Sequence, residues 1–190
     1  MIMRNISGTA GTLAAVCCSA LVVLFPAANA QDAFDGVGVR WPADDVAPLE
    51  TQLVLEALVY ISEAVEVGPS DQGQRQFIPI TGGYFVGDGI RGSVVPGGAD
   101  WQLVRSDGVL ELTAIYSIRT HDDAVIIVEN RGIGVPPGED NPGEAFYLRS
   151  SPQFHAPAGP YEWLNKGVFV GSVTPHPDGG AVVIRVFRVL

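Results

Sequence analysis

Few side chains in this chain have the type and setting that chemistry needs. Asp100 stands between Ala99 and Trp101, just after Gly97 and Gly98. A pocket that strips it of water would raise its pKa and fit it to act as a general base. In a turn, the same oxygens would instead accept N–H groups from the Gly97-Gly98 corner. Arg119 could clamp an anionic substrate, but strand alternation sets it opposite Tyr116, where it could pair with Glu111 or Glu129. His121, His155 and His176 lie far apart with no i,i+2 or i,i+4 pairing. A metal ion needs three or four convergent ligands, so none is expected. The run GDGIRG at residues 87–92 fits the dinucleotide pattern G-x-G-x-x-G. That pattern holds a pyrophosphate only where it opens a helix. The SVVP that follows starts a strand, so the match is accidental. Patterns for serine hydrolases or phosphoryl transfer are missing, and no cofactor is expected.

The other candidates are aromatic and amide side chains. Tyr116 and Asn130 fall on the apolar face of a long hairpin, which should turn inward. Trp101 shares a face with Leu103, and Trp163 shares one with Tyr161, Asn165 and Phe169. With Tyr147 they would give an aromatic lining with few polar groups, suited to a small, flat apolar or phenolic ligand. The same rings could equally fill a core.

The elements that must position these residues read as strands. Residues 79–108 contain eight glycines and two prolines. Each interior glycine costs a helix about 1 kcal/mol and each proline about 3, so short strands bent at glycines are expected, with Trp101 turned inward and Asp100 beside a turn. In residues 109–131 apolar Leu110, Leu112, Ala114, Tyr116 and Ile118 alternate with mostly polar neighbours, the pattern of a β-hairpin about the turn at 120–123. Residues 49–57 suit either a short amphipathic helix or a strand. Residues 132–144 read as a loop, and 161–173 and 181–190 as strands. About eight to ten strands and no convincing helix point to an all-β domain, a single antiparallel barrel. The strongly apolar strand at 181–190 would aggregate unless paired, and pairing it with an early strand closes the barrel. A barrel of this strand number can enclose side chains or one small ligand.

Residues 1–30 carry Arg4, an apolar run to Phe25, and small residues at Ala28 and Ala30, which reads as a secretory signal peptide cleaved after Ala30. Its unbroken apolar part is short of the ~20 residues a membrane span needs. Both cysteines, Cys17 and Cys18, fall within it, which leaves a mature chain without thiol chemistry. A periplasmic or secreted protein is expected, with residues 31–57 as a flexible lead-in and 58–190 as the barrel. Of the 11 basic and 21 acidic residues only Arg4 is in the leader, so the mature chain has 10 against 21, a net charge of −11. Such acidity argues against nucleic acid and against anionic membranes as partners.

In order and spacing, Gly82-Gly83, Gly92, Pro96 to Asp100, Trp101, Asp107-Gly108, Arg119-Thr120, Asn130 to Gly132, Tyr147, Arg149, Phe154 and Trp163 to Asn165 resemble the domain of unknown function 3237 family (uncharacterised protein family UPF 0311). The resemblance runs from about Leu58 to Leu190. It implies a calycin-like, lipocalin-like barrel with an internal pocket, and for some members cofactor-free chemistry such as decarboxylation of lignin-derived aromatic acids. Two positions depart from the pattern: Ala124 where the hairpin turn usually has glycine, and Ile115 where arginine is expected. If that arginine holds a substrate carboxylate in relatives, Ile115 puts acid chemistry in doubt.

Three readings follow. The first is a cofactor-independent lyase or decarboxylase acting on small aromatic, phenolic compounds. The second is a non-catalytic carrier for a small apolar ligand. The third, a filled barrel serving as an interaction module, requires that no cavity exist.

Overall fold

A computed structural model describes residues 48–138, 143 and 145–190. The signal peptide, its cleavage site and the lead-in up to residue 47 lie outside the described residues. Nine strands follow in order: β1 (Thr51–Ile61), β2 (Val65–Ser70), β3 (Gly73–Gly87), β4 (Ile90–Arg105), β5 (Leu110–Thr120), β6 (Val125–Val135), β7 (Tyr147–His155), β8 (Phe169–Pro175) and β9 (Ala181–Val189). A single 3-10 turn, Glu162–Lys166, stands between β7 and β8.

Every pairing is antiparallel. The sheet runs β1-β9-β8-β7-β6-β5-β4-β3-β2, and β1 also pairs with β3. That last pairing closes eight strands into a barrel and leaves β2 as an extra strand. β3 makes this possible by its length: its first half pairs with β2 (Val65↔Phe77) and its second half with β1 (Leu58↔Tyr84). As expected, the apolar segment near residue 190 pairs with an early strand, β9 with β1 from Thr51↔Val189 to Tyr60↔Ala181. β1 therefore begins within the stretch read as lead-in, and residues 51–57 are strand rather than helix. Leu55, Ala57 and Val59 are buried in alternation, a period of two that a helix cannot satisfy.

The glycine-rich stretch forms two long strands, β3 and β4, rather than several short ones. Both are bent at register shifts, between Pro79 and Tyr84 on β3 and between Val95 and Ala99 on β4. At the first, Gly83 adopts φ +136, and a Cβ there would strike the Leu58 carbonyl of β1. Closure of the barrel thus requires glycine. The GDGIRG run makes the β3–β4 turn, with Gly89 at φ +69.

The β5–β6 hairpin forms as its alternation predicts. Its turn residue Asp123 sits at φ 68, a conformation that Asp tolerates without glycine. Thr120 Oγ1 donates to Asp122 Oδ1 at 2.6 Å and accepts the Ala124 N–H at 2.9 Å. Tyr161 Oη donates to the same Asp122 oxygen at 2.7 Å, which ties the 3-10 turn to the hairpin. β6 continues to Val135, into the segment read as loop. The strand expected over 161–173 is broken by the 3-10 turn, because Asn165 bonds the backbone of Ala156 with both ends of its amide, at 2.8 and 2.9 Å. Only a coiled segment lets it reach.

One end of the barrel is solid. Val94, Ile118, Ile126, Phe85, Phe154, Phe169 and Leu164 belong to one buried cluster, with Phe154 and Phe169 edge-to-face at 5.1 Å. The other end is not filled.

Candidate functional site: a cavity at the open end of the barrel

A cavity of about 350 Å³ occupies the barrel between that plug and the ends of β1, β5, β7, β8 and β9. Its wall is largely aliphatic, with Val59, Ile80, Leu112, Leu148, Val173 and Ile184 among the lining residues; Phe146, Pro175 and His176 stand with it where strands end. Polar groups are few: Asp100, Gln102, Tyr116, Asn130 and His176.

Register places the central ones. Ile78, Asp100, Ala114 and Asn130 form one row across β3 to β6, since Ile78↔Asp100, Asp100↔Ala114 and Ala114↔Asn130 are paired. Gln76↔Gln102↔Leu112 is the next row. Tyr116 stands where β4 bulges, and Gly98 opposite has no room for a Cβ against the Tyr116 side chain. The bulge lets the phenol pack in the wall and sets Asp100 on the inner face.

Burial pushes the Asp100 carboxyl from its ordinary value near 3.8 up to about 6, against the lowering pull of a hydrogen bond from Gln102. Gln102 Nε2 donates to Asp100 Oδ2 at 2.7 Å, and Gln76 Nε2 donates to Gln102 Oε1 at 2.7 Å. The other carboxyl oxygen, Oδ1, is buried without a partner, as is Asn130 Oδ1. Burial, and then the charge of Asp100, push the Tyr116 phenol well above its usual range. The cavity therefore holds a carboxyl whose titration is brought toward neutral pH, beside a phenol that keeps its proton there. A buried acid–base group paired with a neutral donor is an arrangement able to move a proton on a bound molecule.

Other residues singled out in the sequence lie elsewhere. Trp101 is on the outer face, 52% exposed and stacked on Phe77 with ring centroids 4.8 Å apart. The expected orientation of β4 is thus reversed: polar Asp100 and Gln102 point in, apolar Trp101 and Leu103 out. Arg119 is also outside, with Nη1 3.9 Å from Asp123 Oδ1 rather than near Glu111 or Glu129. Tyr147 is exposed beneath the Arg149 guanidinium, 5.0 Å from the ring centroid. Trp163 packs on Phe169 at the plugged end, 6.1 Å between centroids, and Asn165 holds the backbone there. Ile115 is exposed on the outer face of β5, so whatever occupies that position does not touch the cavity. Gln102 and Gln76 went unread in the sequence, and His176 was weighed there only as a metal ligand. The first had a signal, because two residues along a strand from Asp100 means the same face. Among the described residues no group of three His, Cys, Asp or Glu converges as a metal site, and no helix is long and apolar enough to cross a membrane.

Fold and cavity together define a closed antiparallel barrel with an internal, mostly apolar chamber. Residues 49–189 match the family described as protein of unknown function (DUF3237). A UPF0311 protein of Rhodopseudomonas palustris is 39% identical over 151 residues, 75% of this chain and 97% of that protein. The chain belongs to this family. A crystal structure of a conserved protein of unknown function from the same organism superposes with a TM-score of 0.70 at 38% identity, over 76% of this chain and all of that one. A β-barrel-like protein from Acinetobacter baumannii gives 0.70 at 30% identity, covering 77% and 99%. An enzyme from Penicillium herquei shares the fold at 0.62 and 20% identity, covering 77% and 98%.

Proposed function

We propose that this barrel binds a small, largely apolar aromatic molecule in its cavity and acts on it without a cofactor, as a lyase in which Asp100 exchanges a proton with the substrate. The observation that carries the reading is the buried carboxyl of Asp100, raised to about 6, in an otherwise apolar chamber. A carboxyl so placed serves as general acid or base near neutral pH. Tyr116 would donate to an oxygen of the substrate, and the aliphatic wall would exclude water.

Neutral phenolic compounds suit this site better than phenolic acids. Above pH 6 a substrate carboxylate would meet the Asp100 charge in an apolar chamber, and Arg119 lies on the outer surface. The carrier reading is supported by the small number of ionisable groups in the wall, Asp100, Tyr116 and His176. We further propose that the protein works after export, on the leader-like residues 1–30.

The test is to incubate purified protein with neutral phenols and with phenolic acids, following product release, carbon dioxide and deuterium uptake from heavy water. A kcat at saturating substrate that falls ~100-fold or more in Asp100→Asn supports the lyase. Binding without turnover supports the carrier. If Ala114→Phe, which fills the chamber, leaves binding unchanged, the cavity is not the site.

A further inference from the structure

The hydrogen bonds around Asp100 have a direction. An ionised carboxylate only accepts, so Gln102 must present Nε2 to Oδ2. Its own Oε1 then has to accept, and it does so from Gln76 Nε2. The order of donors along Gln76, Gln102 and Asp100 is thus set by chemistry rather than by how each amide is drawn.

We propose that Gln102, oriented by Gln76, is the positioning residue of Asp100: the pair occupies Oδ2 and commits Oδ1 to a hydrogen-bond donor carried by the ligand. The ligand class that follows is an uncharged molecule with a hydroxyl or N–H group rather than an ether or a carboxylate. Oδ1 is the oxygen left without a partner, and an unpartnered buried acceptor is costly until a donor reaches it. This role rests on the small-molecule reading above, but the acidity of Asp100 tests the positioning part without any ligand.

The ¹³Cγ shift of Asp100 is followed against pH in the wild type and in Gln102→Met, Gln76→Met and Gln76→Glu. Loss of the Gln102 donor should move the titration up by about one pH unit. Gln76→Met, which does not touch Asp100, should move it in the same direction by less. Gln76→Glu offers an acceptor where a donor stood, turns the Gln102 amide over, and should move the titration further up than Gln76→Met. A packing role alone would lower stability and leave the titration in place, and unmoved titrations in both Gln76 variants overturn the proposal even if Gln102→Met does not fold. In the wild type at pH 7.5, p-cresol should bind at least ~10-fold more tightly than 4-methylanisole, which lacks the donor. Equal affinities refute the donor requirement. Failure of both to bind refutes the small-molecule reading, while the titrations still decide the role of the pair.

Discussion

Replacing Asp100 with Asn should stabilise the protein, and by an amount that depends on pH. The carboxyl titrates near 3.8 when solvated and at about 6 in the fold. Below pH 3.8 both states hold the proton and burial costs nothing. As pH rises through that value the unfolded chain releases its proton first, so the folded state loses stability progressively, and the loss is complete above pH 6. Two-state linkage gives a cost below about 1 kcal/mol at pH 4, rising to about 2 at pH 5 and about 3 at pH 7.5. Asn is nearly isosteric, carries no charge and can still accept from Gln102, so it removes this cost and adds an offset that does not vary with pH. With a urea m-value of about 2 kcal/mol/M, the midpoint of Asp100→Asn should exceed that of the wild type by about 1.5 M at pH 7.5, and the gap should shrink on going to pH 4. Equilibrium unfolding of both proteins across that range, followed by circular dichroism, measures the gap. A gap independent of pH would mean that Asp100 is not desolvated. One that widens toward acid would mean that the charged form is favoured, and either result refutes the reading of the chamber.

Further outcomes are expected on the same grounds. Asn130→Leu removes a buried oxygen without a partner and should raise stability by about 1 kcal/mol while weakening ligand binding, measured by urea unfolding and calorimetry. Trp101→Ala should lower stability by about 1 kcal/mol through loss of the Phe77 stack, with ligand affinity changed less than twofold. Gly83→Ala should lower stability by about 3 kcal/mol or more, because its φ of +136 is strained for alanine and the new Cβ meets the β1 backbone; soluble yield and urea midpoint report it.

The barrel was legible wherever side chains alternate in the usual sense. On β5 the apolar residues from Leu110 to Ile118 face in, and both the strand and its partner follow from that pattern. The family and the closure by β9 were also readable. The site was not, because β4 inverts the rule. Asp100 and Gln102 face the chamber while Trp101 and Leu103 face out, so a reading that turns apolar residues inward selects the wrong face. Two bulges hide this further, since nothing local says on which side of Gly97-Gly98 the count of two restarts. The 3-10 turn escaped for another reason. Trp163 and Asn165 sit two apart and look like one face of a strand, and only the distant backbone of Ala156 shows why the segment coils. Tyr116 and Asn130 were found because their strands keep the rule.

The pairing of β9 with β1 has a consequence for how the protein is made. β1 is among the first structured segments to leave the ribosome, yet one whole side of it has no neighbour until residues 181–189 emerge. A nascent chain that has reached Pro175 presents, besides the outer edge of β2, open edges on β1 and β8, each with a row of unpaired N–H and C=O groups. Such a chain cannot fold by growing from its start. It becomes a barrel only when the final stave is set, and until then any chaperone that receives it handles an open sheet.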